Sequence, residues 1–204
     1  MSRLVKNLLR KVVRDRNRSA LLEDSVRSCP GLDKIPSSWR EKLLAARMVA
    51  AYMPLPDELD LSAMLSDLRQ NGAQVCFPKV DGDDMAFYVP EASACQIKGR
   101  FGILEPSSDS EPVSLTDMDL VFVPAMAFSE EGVRLGRGKG YYDKFFSSSK
   151  SAGSGAFSGL LIGVVSKRNL FLHLPSDPWD LTVNAILTEE GLIEIKNGER
   201  MDDQ

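Results

Sequence analysis

The sequence predicts a three-layer α/β protein in which a largely parallel sheet is flanked by helices. Short apolar runs typical of buried strands alternate along the chain with segments that have helical spacing of apolar residues. The length of 204 residues suits one domain of ordinary size, so we expect a single domain over 1–204. The composition, 43% hydrophobic and 26% charged, excludes disordered, collagen-like and coiled-coil classes. No apolar run approaches the roughly 18 residues that a membrane-spanning helix needs.

The first twenty residues are predicted to form a basic amphipathic helix. They carry seven basic side chains against Asp15 alone, whereas the whole chain has a net charge of −4. The apolar residues of this segment recur at helical spacing: Leu4, Val5, Leu8, Leu9, Val12 and Val13. Three interpretations are open. The segment is a mitochondrial transit peptide, a nucleic-acid-binding arm, or a core helix whose Lys6 and Arg10 point from one face towards an anionic ligand.

Two further helices are expected in the first third of the chain. Ser38 and Glu41 have the spacing of a capping box and predict a helix that continues through Leu43 and Leu44. An apolar run at 48–53 follows and predicts a buried strand. Asp60 is expected to cap the next helix, which ends before Gly72 and has four apolar residues on its inner face: Leu61, Met64, Leu65 and Leu68.

The remaining strands are predicted from short apolar runs. They lie at 75–78, 85–89, 120–124, 160–165, 183–187 and 192–195. Residues 105–118 are rich in Pro, Ser and Asp and predict a surface loop. A helix is expected to start near Tyr141 and to end at Ser147–Ser149, and the low-complexity stretch 147–159 predicts a flexible surface connection.

Cysteine and histidine offer little chemistry in this sequence. Cys29, Cys76 and Cys95 are odd in number and widely spaced, which argues against disulfides and zinc sites and favours buried thiols in a reducing compartment. His173 is the only histidine, and we interpret it as structural or exposed. No G-x-S-x-G motif accompanies it, so a Ser-His-Asp hydrolase is disfavoured.

The most informative segment is the glycine-rich stretch 134–143, which follows a predicted strand and runs into a helix. Gly136, Gly138 and Gly140 alternate with other residues, and the basic residues are Arg134, Arg137 and Lys139. Backbone N–H groups of glycines can approach an anion closely, and a helix N-terminus adds partial positive charge. Arginine can bind phosphate oxygens with two hydrogen bonds. The pattern therefore favours a polyphosphate-binding loop.

Alternatives to this interpretation remain open at this point. The segment matches neither the Walker A pattern nor G-x-G-x-x-G, because Tyr141 occupies the last glycine's place. A generic glycine-rich turn is the simpler possibility. Asp143 is a candidate ligand of Mg²⁺, which needs only one or two carboxylates, or else a favourable charge in the first turn of a helix.

Residues 134–143 resemble the R-L-G-x-G-x-G-Y-Y-D motif of the 5-formyltetrahydrofolate cyclo-ligase (5,10-methenyltetrahydrofolate synthetase) family. The resemblance extends in order over nearly the whole chain. Lys6 to Arg10 is similar to the family's opening K-x-x-L-R, and the closing stretch is similar at Leu174-Pro175, Asp180 and Thr188-Glu189. Further similar segments contain Met53 and Glu58, Phe77-Pro78, and Phe101 to Pro106.

The resemblance implies an ATP- and Mg²⁺-dependent cyclisation of 5-formyltetrahydrofolate to 5,10-methenyltetrahydrofolate, ADP and phosphate. ATP would phosphorylate the formyl oxygen, and N10 would then displace phosphate. The residues implied to bind ATP are Lys6, Arg10, Arg134, Gly136, Arg137, Gly138, Lys139, Gly140, Tyr141 and Tyr142. Those implied to bind the folate are Met53, Glu58, Arg137, Lys139 and Tyr141. The implied catalytic residues are Arg137, Lys139 and Tyr142, and the implied metal ligands are Asp143 and Asp180.

The resemblance also implies a scaffold of the NagB/RpiA/CoA transferase type, small-molecule partners alone, a monomer, and a cytoplasmic location without nucleic-acid or membrane partners. The sequence departs from the family at three positions. Ser129 and Asn184 stand where the family usually has Asp, and Asn169 stands where it usually has Gln. The absence of these two carboxylates lowers the affinity for Mg²⁺ only if the family's aspartates at these positions help to hold the metal.

Three rival functions remain. A silent relative would bind nucleotide or folate without turnover. A sugar-phosphate isomerase or CoA transferase would use the same scaffold, although no carboxylate base or nucleophile for it can be located. An interaction protein would use residues 147–159 as a docking loop.

Overall fold

The computed structural model describes residues 2–20, 28–90, 97–98, 104–105, 112–151, 157–177 and 180–195. Its centre is a seven-stranded sheet in the order β12-β11-β9-β6-β1-β2-β3. These strands are β1 (Met48–Ala50), β2 (Gln74–Asp81), β3 (Asp84–Tyr88), β6 (Leu120–Pro124), β9 (Leu160–Val164), β11 (Ala185–Thr188) and β12 (Gly191–Glu194). The five inner strands pair in parallel, and only β3 and β12 pair antiparallel, at the two edges. The predicted α/β class is confirmed.

Apolar layers cover both faces of this sheet. Helices α2 (Ser37–Ala45) and α3 (Ser62–Gln70) lie on one side, where Trp39 and Met64 pack into a cluster with Phe122 of β6. Helix α4 (Tyr141–Ser151) lies on the other side, where Phe146 packs with Val121. Strand β6 is buried on both faces, as a continuous apolar run in a central parallel strand predicts.

A second, three-stranded sheet carries the glycine-rich segment. It consists of β7 (Ala127–Ser129), β8 (Arg134–Leu135) and β10 (Leu170–Phe171), in the order β10-β7-β8. A short hairpin pairs β4 (Ile97–Lys98) with β5 (Leu104–Glu105). Helix α1 (Ser2–Ala20) reaches this small sheet through Val13, which packs in one cluster with Val133 and Leu174.

Helix α1 leaves most of its periodic apolar residues exposed. Four of its six periodic apolar residues are exposed, with Leu4 at 77% and Leu8 at 64%. The buried residues of α1 are two polar ones, Lys6 and Asn17, each only 8% exposed, and two apolar ones, Val13 and Ala20. Polar contacts therefore help to decide which side of α1 is buried. The predicted helix itself, with Lys6 and Arg10 facing inwards, is present.

Several predicted boundaries also shift. The capping box is wrong, because α2 starts at Ser37 after Pro36 and has no side-chain cap. The strand expected at 48–53 ends at Ala50. Helix α4 continues to Ser151, so residues 147–151 are helical and not part of a flexible connection. Asp60 does accept hydrogen bonds from the backbone N–H and hydroxyl of Ser62 at the start of α3.

Some expectations lie outside the described residues. These are Cys95, residues 106–111 of the predicted loop, residues 152–156 of the predicted connection, and most of the segment Phe101 to Pro106. Among the described residues, no helix has the combination of length and apolarity that crossing a bilayer requires.

Candidate active site

A cavity of about 520 Å³ lies beyond the carboxyl ends of the central strands. Tyr52 and Met53 follow β1, Pro124 ends β6, and Val80 lies near the end of β2, and all four line the cavity. The chain order reverses between β1 and β6, since β2 lies on one side of β1 and β6 on the other. Ligands of open parallel sheets bind at such a switch point, outside the carboxyl ends of the strands.

The cavity brings together every residue that the sequence singled out for binding or catalysis. All fourteen residues line it: Lys6, Arg10, Met53, Glu58, Arg134, Gly136, Arg137, Gly138, Lys139, Gly140, Tyr141, Tyr142, Asp143 and Asp180. They come from α1, the loop after β1, the segment that runs from β8 to the first turn of α4, and the loop before β11. Segments separated by more than 170 residues therefore meet in one cavity.

The glycine-rich loop connects β8 to the N-terminus of α4, and its backbone geometry explains why glycine occupies these positions. Gly138 and Gly140 have φ of +97° and +72°, a region that side chains other than glycine rarely adopt. A Cβ atom on Gly136 would lie 2.8 Å from the guanidinium of Arg134. The loop therefore leaves space above its backbone at a helix N-terminus, where backbone N–H groups favour anions.

Arg134 is a buried cation beneath this loop. Its Nε donates a hydrogen bond to the Pro124 carbonyl at 3.0 Å, and its guanidinium lies 4.9 Å from the centre of the Tyr142 ring. The Arg134 Nη1 atom is 3.7 Å from a carboxylate oxygen of Asp143. Burial lowers the pKa of this guanidinium, and the Asp143 charge opposes that shift. The positive charge is thus fixed between β6 and α4.

Helix α1 contributes two more cations. Lys6 Nζ binds Asp177 and Asp180 at 2.7 and 2.5 Å, and Arg10 Nε donates to the Gly136 carbonyl at 2.9 Å. Burial alone would lower the pKa of Lys6, but the two carboxylates outweigh it and raise that pKa. Lys6 and Arg10 also line an adjoining groove of about 850 Å³, which includes further basic residues of α1: Arg3, Lys11 and Arg14.

Arg137 forms ion pairs with two neighbouring carboxylates. Its guanidinium lies 2.5 Å from Asp57 Oδ1 and 3.0 Å from Glu58 Oε1. The second carboxylate oxygen of Glu58 accepts a hydrogen bond from the Leu55 backbone N–H. Burial raises the pKa of the Glu58 carboxyl, and Arg137 only partly offsets this shift. A residue expected at the phosphates and one expected at the folate are therefore in direct contact.

Tyr142 lines the cavity and has a buried hydroxyl. Its side chain is 8% exposed, and the hydroxyl oxygen has no hydrogen-bond partner among the described residues. Burial raises the pKa of this phenol, so the hydroxyl stays protonated and can donate. A buried polar atom without a partner is unusual in a native protein, which makes this cavity-lining hydroxyl a candidate ligand contact.

We expect Tyr142→Phe to separate stability from turnover. The unfolding free energy should not fall, because the free protein loses no hydrogen bond, whereas kcat/KM should drop about 2- to 13-fold for one lost neutral hydrogen bond. Thermal unfolding and steady-state kinetics on the same preparation measure both. Equal kcat/KM for the two proteins would show that no ligand contacts this hydroxyl.

The two expected metal ligands, Asp143 and Asp180, both line the cavity. Within the described residues, no three His, Cys, Asp or Glu side chains form a group that could hold a metal ion. Asp143 lines the cavity with a side chain 33% exposed, next to Arg134. Asp180 is engaged by Lys6 and by the Asp177 backbone N–H. Mg²⁺ commonly takes one or two carboxylates together with substrate phosphates, and this donor set fits that mode.

The sequence analysis missed several residues that shape the site. Asp57 binds Arg137, and Asp177 binds Lys6. The only feature of the sequence that could have pointed to these two aspartates is that each lies close to an expected site residue, Glu58 or Asp180. The apolar wall of the cavity includes Leu55, Val80 and Met85, which are not distinguishable in sequence from ordinary core residues.

Two positions that depart from the family pattern lie apart from the cavity-lining residues. Ser129 is fully buried, and its hydroxyl accepts a hydrogen bond from the Val133 backbone N–H in the turn between β7 and β8. Asn184 Oδ1 accepts one from the Leu161 N–H at 2.7 Å. Both side chains bond to backbone N–H groups of neighbouring segments.

The described cysteines and the histidine have unremarkable surroundings. Cys29 and Cys76 are buried and free, and burial raises the pKa of each thiol to about 12. His173 is exposed beside Glu131. The expectations of buried thiols, for these two, and of an exposed histidine are confirmed.

The parallel sheet and the cavity at its switch point define an α/β enzyme that acts on small molecules. The chain belongs to the 5-formyltetrahydrofolate cyclo-ligase family, whose model matches residues 4–189. Among curated relatives, the 5-formyltetrahydrofolate cyclo-ligase of Mycolicibacterium smegmatis is 29% identical and aligns over 88% of this chain and 95% of its own length. The cyclo-ligase of Mus musculus is 25% identical over 71% of this chain and 74% of its own length.

Solved structures agree with this assignment. The 5,10-methenyltetrahydrofolate synthetase of Aquifex aeolicus, determined by NMR, matches with a TM-score of 0.71 and 30% identity, covering 98% of this chain and 97% of that chain. The synthetase of Mycoplasma pneumoniae has a TM-score of 0.60 at 20% identity, covering 91% and 99%, and supports the fold.

Proposed function

We propose that this chain uses ATP to cyclise 5-formyltetrahydrofolate to 5,10-methenyltetrahydrofolate, releasing ADP and phosphate. Membership in the cyclo-ligase family supports the reaction class. The observation that carries the residue assignment is the cavity of about 520 Å³, in which an apolar wall faces a cationic glycine loop.

The apolar side of the cavity suits the folate. Met53, Leu55, Val80 and Met85 offer surfaces for a planar ring, and few polar groups are needed to orient such a ligand. Glu58 lies at this wall and would accept hydrogen bonds from the N–H donors of the pterin. Its Oε1 contact with Arg137 gives the carboxylate a fixed direction before substrate arrives.

The opposite side suits a triphosphate. The loop at 136–140 would bind phosphate oxygens with backbone N–H groups, and Arg134 supplies a buried positive charge beneath it. Lys139 is exposed at the cavity and is a further cation for the phosphates. Lys6 and Arg10 lie where α1 closes this side.

The reaction needs positioning more than a protein nucleophile. The formyl oxygen attacks the γ-phosphorus, and the bond to ADP breaks. N10 then bonds to the activated formyl carbon, the carbon–oxygen bond breaks, and phosphate leaves with the N10 proton transferred to it or to water. Phosphoryl transfer is stabilised mainly by charge and alignment, which the Arg and Lys residues of the loop supply.

Mg²⁺ would neutralise phosphate charge when bound, and we propose that Asp143 holds it together with Asp180, which also binds Lys6. We expect Asp143→Asn to raise the Mg²⁺ concentration needed for half-maximal rate roughly tenfold. A Mg²⁺ titration at saturating ATP measures this shift. Asp117→Asn, an exposed aspartate outside the cavity, is the matched control.

An unchanged Mg²⁺ titration for Asp143→Asn would contradict the metal role. Asp143 would then serve only as the partner of Arg134 and as a favourable charge in the first turn of α4.

The test of the function is a direct assay. Purified protein is mixed with 5-formyltetrahydrofolate, ATP and Mg²⁺, and the near-ultraviolet absorbance of the conjugated methenyl product is followed. A rise that requires both ATP and Mg²⁺ is expected. Folded protein that binds ATP but gives a flat trace would instead support a silent, nucleotide-binding relative.

We also propose that the enzyme acts in the cytoplasm as a monomer on small-molecule substrates, without a nucleic-acid partner. Buried, free Cys29 and Cys76 are in keeping with a reducing compartment. Sedimentation of the purified protein at working concentration tests the monomer.

A further inference from the structure

Two buried amides lie behind the active site and are not among its lining residues. Asn17, on α1, is 8% exposed, and Asn169, in the short turn Lys167–Asn169, is 3% exposed. Asn169 Nδ2 donates to Asn17 Oδ1 at 2.7 Å. Polar side chains this deeply buried are costly unless they are hydrogen-bonded, and hydrogen-bonded networks of this kind make their surroundings rigid.

Asn17 connects this pair to the active site through a hydrogen bond to Asp57. Asn17 Nδ2 donates to Asp57 Oδ2 at 3.3 Å, while the other oxygen of Asp57 binds the Arg137 guanidinium. Each carboxylate oxygen of Asp57 therefore has a different partner. A single path of hydrogen bonds runs from Asn169 through Asn17 and Asp57 to Arg137.

Arg137 needs such a support. Its side chain is 38% exposed, and a long, flexible arginine side chain loses rotamer freedom when it is fixed in one position. Without Asn17, Asp57 Oδ2 loses its partner, and the Asp57 carboxylate that binds Arg137 is free to rotate. Glu58, the other carboxylate that binds Arg137, is the residue that the folate would engage.

We infer that Asn17, anchored by Asn169, is a positioning residue that holds Arg137 across the cavity through Asp57. The inference rests on the proposed function for its kinetic consequence but not for its geometry. It also gives a role to position 169, where the chain carries Asn in place of the family's usual Gln.

The geometric test needs no substrate. In ¹⁵N-labelled full-length protein, the Arg137 guanidinium Nη–H signals are assigned by their loss in Arg137→Lys; Nη2 is the atom that donates to Asp57 Oδ1. We expect a slowly exchanging Arg137 Nη2–H in the wild type and in Ser19→Ala, an exposed position on the same helix. Asn17→Ala should make this proton exchange at least severalfold faster, with the other arginine signals unchanged. An unchanged Arg137 signal in Asn17→Ala overturns the inference.

The kinetic test uses a double-mutant cycle. Asn17→Ala should lower kcat/KM for 5-formyltetrahydrofolate roughly threefold to tenfold, and it should have no further effect in an Arg137→Ala background. A merely structural role of Asn17 would instead give the same loss in both backgrounds and would overturn the inference. If Asn17→Ala does not fold, Asp57→Asn interrupts the same path from a partly exposed position and should show the same non-additivity.

The two proposals fail in different ways. Wild-type protein without turnover contradicts the proposed function, yet the Arg137 exchange experiment still gives its result. Active protein with additive losses contradicts only the positioning role.

Discussion

Glu58→Gln is expected to weaken binding of 5-formyltetrahydrofolate about 10- to 150-fold. The change keeps the shape of the side chain but removes a buried carboxylate, and a hydrogen bond to a charged group contributes about 1.5–3 kcal/mol. Titration of the folate against protein without ATP measures the dissociation constant directly. The KM for ATP should change much less.

The pH dependence gives Glu58 a second signature. Burial raises the pKa of its carboxyl above the ordinary value of 4.5, so folate affinity should fall as pH drops through that raised pKa. The folded state binds this proton more tightly than the unfolded state, so the carboxylate's cost to stability grows as pH rises through the same range. Glu58→Gln should remove this acidic limb of the affinity profile.

Glu41→Gln is the matched control, since Glu41 is an exposed glutamate on α2 outside the cavity. It should leave both the affinity and the pH profile as in the wild type. Folate binding by Glu58→Gln as tight as by the wild type would contradict the assignment of Glu58.

Lys139→Ala is expected to raise the KM for ATP about 10- to 100-fold. Lys139 lies in the glycine loop at the cavity and is exposed, so its removal should cost the phosphates a charge without destabilising the fold. Initial rates at a series of ATP concentrations, with saturating folate and Mg²⁺, give the value.

Lys144→Ala provides the control, because Lys144 is an exposed lysine in the first turn of α4, shortly after Lys139, and does not line the cavity. It removes the same charge from the same helix end. Equal ATP dependence of the two variants would mean that Lys139 acts only through the general charge of the region.

The fold was predictable because most strands of its central sheet are short apolar runs that can be recognised in the sequence. The run at 120–124 forms a strand buried on both faces, and the alternation of runs and helices predicted the parallel sheet. Boundaries were less accurate, as at the start of α2, because Pro36 and not a side-chain cap precedes that helix.

The contents of the cavity were also predictable, and the contacts within it were not. All fourteen site residues expected from the glycine loop and the family motifs line the cavity. Sequence spacing could not show that Arg137 binds Asp57, or that Lys6 binds Asp177, since those pairs are 80 and 171 residues apart. It also could not show which side of α1 is buried, where four periodic apolar residues are exposed while Lys6 and Asn17 are buried.

The most direct measurement uses 5-formyltetrahydrofolate labelled with ¹⁸O in the formyl group. Methenyl product is followed by absorbance, and the released phosphate is analysed by mass spectrometry. If the cavity brings the formyl oxygen to the γ-phosphate of ATP, product and phosphate form in equal amounts and the phosphate carries the label. Unlabelled phosphate beside methenyl product, or phosphate released without any product, would contradict this account.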